Sequence, residues 1–151
     1  MLKRAKLSNR LSKQKLTAIM AISSSGLLLD SCVVIRHFRG GSDLLGSLSK
    51  FQVLYLPYVA LAELYAGAYR SFRAEKNLQQ IALFLDAVDV LMPDENTPLI
   101  YGRVASELAQ KGTPIPQNDI WIASIALQTG LPLATNDRHF ESVSGLNLVV
   151  L

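Results

Sequence analysis

Residues 27–35 read Leu-Leu-Leu-Asp-Ser-Cys-Val-Val-Ile. Three consecutive leucines ending on an acid predict a short strand covered on both faces, because a strand with one wet face alternates polar and apolar residues. Ser31 to Arg39 then reads as a helix with Val34, Ile35 and Phe38 on one side, ended by Gly40-Gly41. The alternation continues downstream. Val53 to Leu56 is a second strand, stopped by Pro57, and Val59 to Arg70 and Ala74 to Ala87 are helices. Val88 to Met92 is a third strand before Pro93. Thr97 to Lys111 is a helix closed by Gly112, and Asn118 to Thr129 another closed by Gly130. Leu131 to Thr135 and Leu146 to Leu151 are strands four and five, and Asp43 to Ser49 is a turn or short helix. Short apolar strands alternating with helices predict an α/β fold, a parallel sheet with helices on both faces. Ligands of such sheets bind beyond the carboxyl ends of the strands, which directs attention to the polar residues there.

The chain of 151 residues fits one domain. Half of it is hydrophobic and 18% is charged, which excludes a disordered chain. Its single cysteine makes no internal disulfide, so nothing requires an oxidising compartment and a cytoplasmic protein is expected. One cysteine and two histidines are too few for an ordinary zinc site. Carboxylates are left as the carriers of any chemistry.

The net charge of +3 conceals two regions. Residues 1–25 hold Lys3, Arg4, Lys6, Arg10, Lys13 and Lys15 and no acid, so the remainder carries nine cations against twelve acids. The basic stretch is expected to lie outside the folded body, which begins at Gly26 after the linker Ser23-Ser24-Ser25. A nucleic-acid arm, a targeting peptide and a start at Met20 all remain open for it. No run approaches the ~18 apolar residues of a membrane span, so no membrane association is expected.

Four acids occupy costly or pivotal places. Asp30 ends the first strand, where it serves equally as an N-cap for the next helix. Glu63 lies in a helix that is apolar almost all round, a poor place for a charge without a partner. Arg70, two turns on, is one such partner; a metal or an open cleft is another. Asp119 opens the helix containing Ile120-Trp121-Ile122-Ala123, where an acid is also favoured by the helix dipole. Asp137 follows strand four, where a turn or cap residue is common. Together, two acids close strands and two sit on helices near the sheet. Clustered carboxylates repel one another unless a cation neutralises them, and their oxygens suit Mg²⁺ or Mn²⁺. Such an ion activates water and shields a phosphodiester's developing charge.

These stretches also resemble a known family. LLLDSCVVI (27–35), VALAELYAGA (59–68), NDIWIASIA (118–126) and LATNDRHF (133–140) are similar, in order and separation, to the motifs of PIN domains, in particular of the small VapC-like ribonuclease toxins. The resemblance spans Gly26 to Leu151. It implies a three-layer α/β/α sandwich with a five-stranded parallel sheet and RNA cleavage dependent on Mg²⁺ or Mn²⁺. It places Asp30, Glu63, Asp119 and Asp137 on the family's catalytic, metal-holding acids, and Ser31 and Thr135 on supporting hydroxyl positions. It also implies a homodimer and a small antitoxin protein that blocks the site. Cys32 stands where the family often has Asn or Ser.

Other features carry less. His37 and His139 read as surface or packing residues. Tyr55, Tyr58, Tyr65 and Tyr69 read as core or dimer contacts. Arg36, Arg39, Arg70 and Arg73 suit RNA phosphates or solvated helix faces equally. A catalytically inactive PIN-like module that binds RNA or protein is the alternative, but a binder has no reason to crowd four acids. A phospho-receiver using Asp94 requires a late lysine, and none follows Lys111.

Overall fold

The computed structural model describes residues 26–40, 46 and 48–151. Five strands form one sheet: β1 (Gly26–Leu29), β2 (Val53–Pro57), β3 (Asp89–Leu91), β4 (Leu133–Ala134) and β5 (Leu148–Val149). Among the described residues, five α-helices accompany them: α1 (Ser31–Phe38), α2 (Tyr58–Tyr69), α3 (Ala74–Leu85), α4 (Thr97–Lys111) and α5 (Gln117–Thr129), with a 3₁₀ turn at Arg138–Ser142. The strand order is β3-β2-β1-β4-β5 and every pairing is parallel. Leu27, Leu28 and Leu29 of the central strand are wholly inaccessible, so helices cover the sheet on both faces as three layers require.

α4 and α5 end at the glycines the sequence marks, whereas α3 stops at Leu85, two residues short of the expected Ala87. Gly112 and Gly130 close α4 and α5 in the left-handed conformation, with φ of 67° and 69°, which a side chain would resist. Tyr101 of α4 stacks on Trp121 of α5 with ring centroids 4.2 Å apart, locking that pair together. His37 packs among the rings of Phe38 and Phe84, the packing role expected of it. Strands four and five are shorter than the apolar runs that announce them. The ladder nevertheless extends past their ends, from Leu28 N–H to Pro132 O and from Thr135 N–H to Val149 O.

Gly26 is set by packing. A Cβ there would lie 2.7 Å from the Tyr55 ring and 2.9 Å from a Leu131 methyl, so only glycine lets β1 approach both neighbours.

The expectations for residues 1–25, and most of the turn over 43–49, lie outside the described residues. Among the described residues, no helix is long and apolar enough to cross a membrane.

Candidate active site

The strand order reverses direction at β1, and that switch point is where the acids gather. Leu29 pairs in register with Ala134, so the next residues, Asp30 and Thr135, emerge side by side. Asp30 is only 4% exposed. Its Oδ1 accepts from the Ser31 amide at 2.7 Å, which makes it the N-cap of α1. Its Oδ2 accepts from Thr135 Oγ1 at 2.7 Å and from Cys32 Sγ at 2.9 Å. Cap and cleft residue are thus compatible roles for one side chain. Burial raises the Asp30 pKa above its ordinary value; hydrogen bonds from Cys32, Thr135 and Ser31 oppose the shift and the Glu63 charge adds to it. Burial likewise pushes the Cys32 thiol up to about 11, leaving it a protonated donor at neutral pH.

Glu63 projects from the middle of α2 toward the same cleft. Ser31 Oγ donates to its Oε2 at 2.7 Å and Asn118 Nδ2 to its Oε1 at 2.8 Å. The pairing with Arg70 is not made: Arg70 Nε donates to the Ala66 carbonyl of its own helix. Two turns of helix separate the residues by about 11 Å of rise, so the pair would need both side chains fully extended along the axis.

Asp119, in the first turn of α5, and Asp137, the N-cap of the 3₁₀ turn, form the other half of the cleft. Asp137 Oδ1 accepts from the His139 amide at 2.9 Å, and the Asp137 amide donates to Thr135 Oγ1 at 3.0 Å. His139 Nδ1 lies 2.9 Å from Asp119 Oδ2 and 3.2 Å from Asp137 Oδ1. Burial raises the Asp119 pKa; the His139 hydrogen bond opposes the shift, and the charges of Asp137 and Asp30 add to it.

All four acids therefore belong to one cluster linked by hydrogen bonds, but as two pairs. Asp30 and Glu63 are joined through Ser31, and Asp119 and Asp137 through His139. Among the described residues, Asp119, Asp137 and His139 are the only three acid, histidine or cysteine side chains whose ligand atoms all lie within 4.8 Å of one another. That spacing suits a single cation, and the predominance of hard oxygen donors suits Mg²⁺ or Mn²⁺.

Two participants escape the sequence reading. His139 is not a bystander: its ring bridges two of the acids. The signal for it was the two-residue step from Asp137 inside a tight turn. Asn118 orients Glu63 from 55 positions away, and its only sequence mark is adjacency to Asp119.

Comparison with known proteins identifies relatives of this chain. The family model of the PIN domain matches residues 27–146. Ribonuclease VapC1 of Haemophilus influenzae (strain R2866) is 37% identical over 94 residues, covering 62% of this chain and 70% of the relative. The tRNA(fMet)-specific endonuclease VapC of Salmonella typhimurium is 36% identical over 91 residues, covering 60% and 69%. Among solved structures, VapBC2 from Rickettsia felis, bound to a DNA fragment from its promoter, is similar with a TM-score of 0.78 at 27% identity, covering 83% of this chain and 98% of that one. VapBC-1 from nontypeable Haemophilus influenzae gives 0.77 at 29% identity, covering 83% and 97%.

Proposed function

The chain belongs to the PIN-domain family, and from that premise we propose that it is a divalent-metal-dependent endoribonuclease, the toxin of a toxin–antitoxin pair. The observation that carries the reading is the convergence of Asp30, Glu63, Asp119 and Asp137 on one cleft at the switch point of the sheet. The names of its relatives, ribonuclease and tRNA endonuclease, support RNA as the substrate. The likeness to VapBC structures supports a small antitoxin partner. Exposed Tyr58 and Leu99 support a homodimer.

In this reading the four acids would hold the cation, and His139, whose Nδ1 lies beside Asp119 and Asp137, would orient those two carboxylates. A bound Mg²⁺ or Mn²⁺ supplies an activated water and neutralises charge on the phosphodiester. The protein fixes the ligands. Thr135, Cys32 and the Ser31 amide hold Asp30 in one orientation, while Ser31 and Asn118 hold Glu63. Burial and mutual repulsion disfavour ionised Asp30 and Asp119 in the bare cleft, and a cation relieves that cost.

Incubating purified protein with structured RNA tests the reading. Cleavage in Mg²⁺ or Mn²⁺ that stops in EDTA is expected; undiminished cleavage after exhaustive chelation overturns the metal, and no cleavage with either ion overturns the ribonuclease.

A further inference from the structure

We propose that the groove between α1, α2 and α3 is the track on which a single-stranded segment of the RNA lies as it reaches the acidic cleft, with Arg39, Arg73 and Lys76 holding its phosphates. The proposal rests on the ribonuclease reading and extends it to the substrate's path.

The groove has a volume of about 500 Å³, and Glu63, one of the four acids, is part of its lining. A cleft of four acids repels a polyanion. Cations must therefore flank it if RNA is to be held before an ion and a phosphate meet. Arg39 at the end of α1 and Arg73 and Lys76 at the start of α3 all line this groove, and Glu63 is the single acid among its lining residues. Among the described residues, no carboxylate forms an ion pair with any of the three.

The groove's interior suits bases rather than more phosphates. Phe38, Leu64 and Ile81 give it an apolar lining, and Gly67 leaves part of the floor open, since a Cβ there meets nothing within 4 Å. Just beyond, at the α2–α3 corner, Tyr69 is 71% exposed and Phe72 fully so. Exposed aromatics beside a basic groove are how single-stranded nucleic acid is bound without sequence readout, by stacking along a charged track. A protein partner is the competing occupant; three cations against one acid favour the polyanion.

The test measures binding of a short, unstructured, fluorescein-labelled RNA by anisotropy, in an Asp30→Asn background that suppresses cleavage. Combining Arg39→Gln, Arg73→Gln and Lys76→Gln is expected to weaken binding on the order of tenfold or more. It should also make the slope of log affinity against log salt shallower by about 2, at about 0.7 per lost phosphate contact. A charge-matched control, Lys50→Gln with Arg103→Gln and Lys111→Gln, is expected to bind like the background protein. Gly67→Leu, whose Cβ meets nothing within 4 Å, is expected to keep its melting temperature and lose affinity. If the protein binds and cuts RNA but the groove triple matches the control, the track is wrong and the ribonuclease stands. If the triple weakens a protein partner and not RNA, the track is equally wrong. If the unsubstituted protein neither binds nor cuts RNA, both readings fall.

Discussion

Thr135 Oγ1 donates to Asp30 Oδ2 across 2.7 Å while accepting the Asp137 amide at 3.0 Å. One hydroxyl thus ties the ends of two neighbouring strands together and fixes two of the four acids. Thr135→Val keeps the shape and removes both bonds. It is expected to cost about 1–3 kcal/mol in urea unfolding, the price of leaving a buried polar group without its partner. Thr135→Ser keeps the hydroxyl and loses one methyl, so it should retain the cleft's hydrogen bonds and cost less. Equal losses in the two variants would show that packing, not the hydroxyl, matters.

Asp30 gives stability a pH dependence of definite sign. Its folded-state pKa is raised above the ordinary 3.8, mainly by burial. The folded state therefore holds its proton more tightly than the unfolded chain, and stability falls as pH rises from the ordinary value through the raised one. Asp30→Asn cannot ionise. In metal-free buffer the variant is expected to gain on the parent across that window and keep the advantage at neutral pH. Urea unfolding across a pH series checks this; parallel profiles for the two proteins would contradict it.

Asn118 acts on Glu63 and not on the fold. Because the pair is exposed, Asn118→Ala is expected to leave stability within about 0.5 kcal/mol. Cleavage should fall about 10–100-fold, the usual effect of losing a residue that orients a metal ligand. A measured loss of stability with unchanged cleavage reverses that assignment.

Gly26→Ala forces a Cβ against the Tyr55 ring and Leu131. Overpacking of this kind costs about 1–3 kcal/mol, read as a lower urea midpoint. An unchanged midpoint means that β1 shifts without strain.

Much of this was legible in advance because each signal is local. Three leucines before Asp30 announce a buried strand, Gly112 and Gly130 announce helix ends, and the switch-point rule says which acids to compare. What escaped depends on tertiary placement. Whether Glu63 meets Arg70 on its own helix or Ser31 and Asn118 from elsewhere is settled by how α1, α2 and α5 pack, and no periodicity encodes that. His139 looked like a surface residue because its two carboxylate partners lie 20 and two positions away, and only the 3₁₀ turn brings its ring between them. The strands β4 and β5 are shorter than their apolar runs because hydrophobicity marks burial, whereas a ladder also needs a neighbour at the right height.

The most direct test is the cleavage of end-labelled RNA by the parent and by Asp30→Asn, each with EDTA and with Mg²⁺ or Mn²⁺. The parent is expected to cut only with the ion, and Asp30→Asn to cut about 10²–10³-fold more slowly, by analogy with removing one preorganised electrostatic group. Asn caps a helix about as well as Asp, so the loss cannot come from the cap. An Asp30→Asn protein that cuts RNA at the parental rate would contradict the assignment of Asp30, and with it the metal-holding cleft.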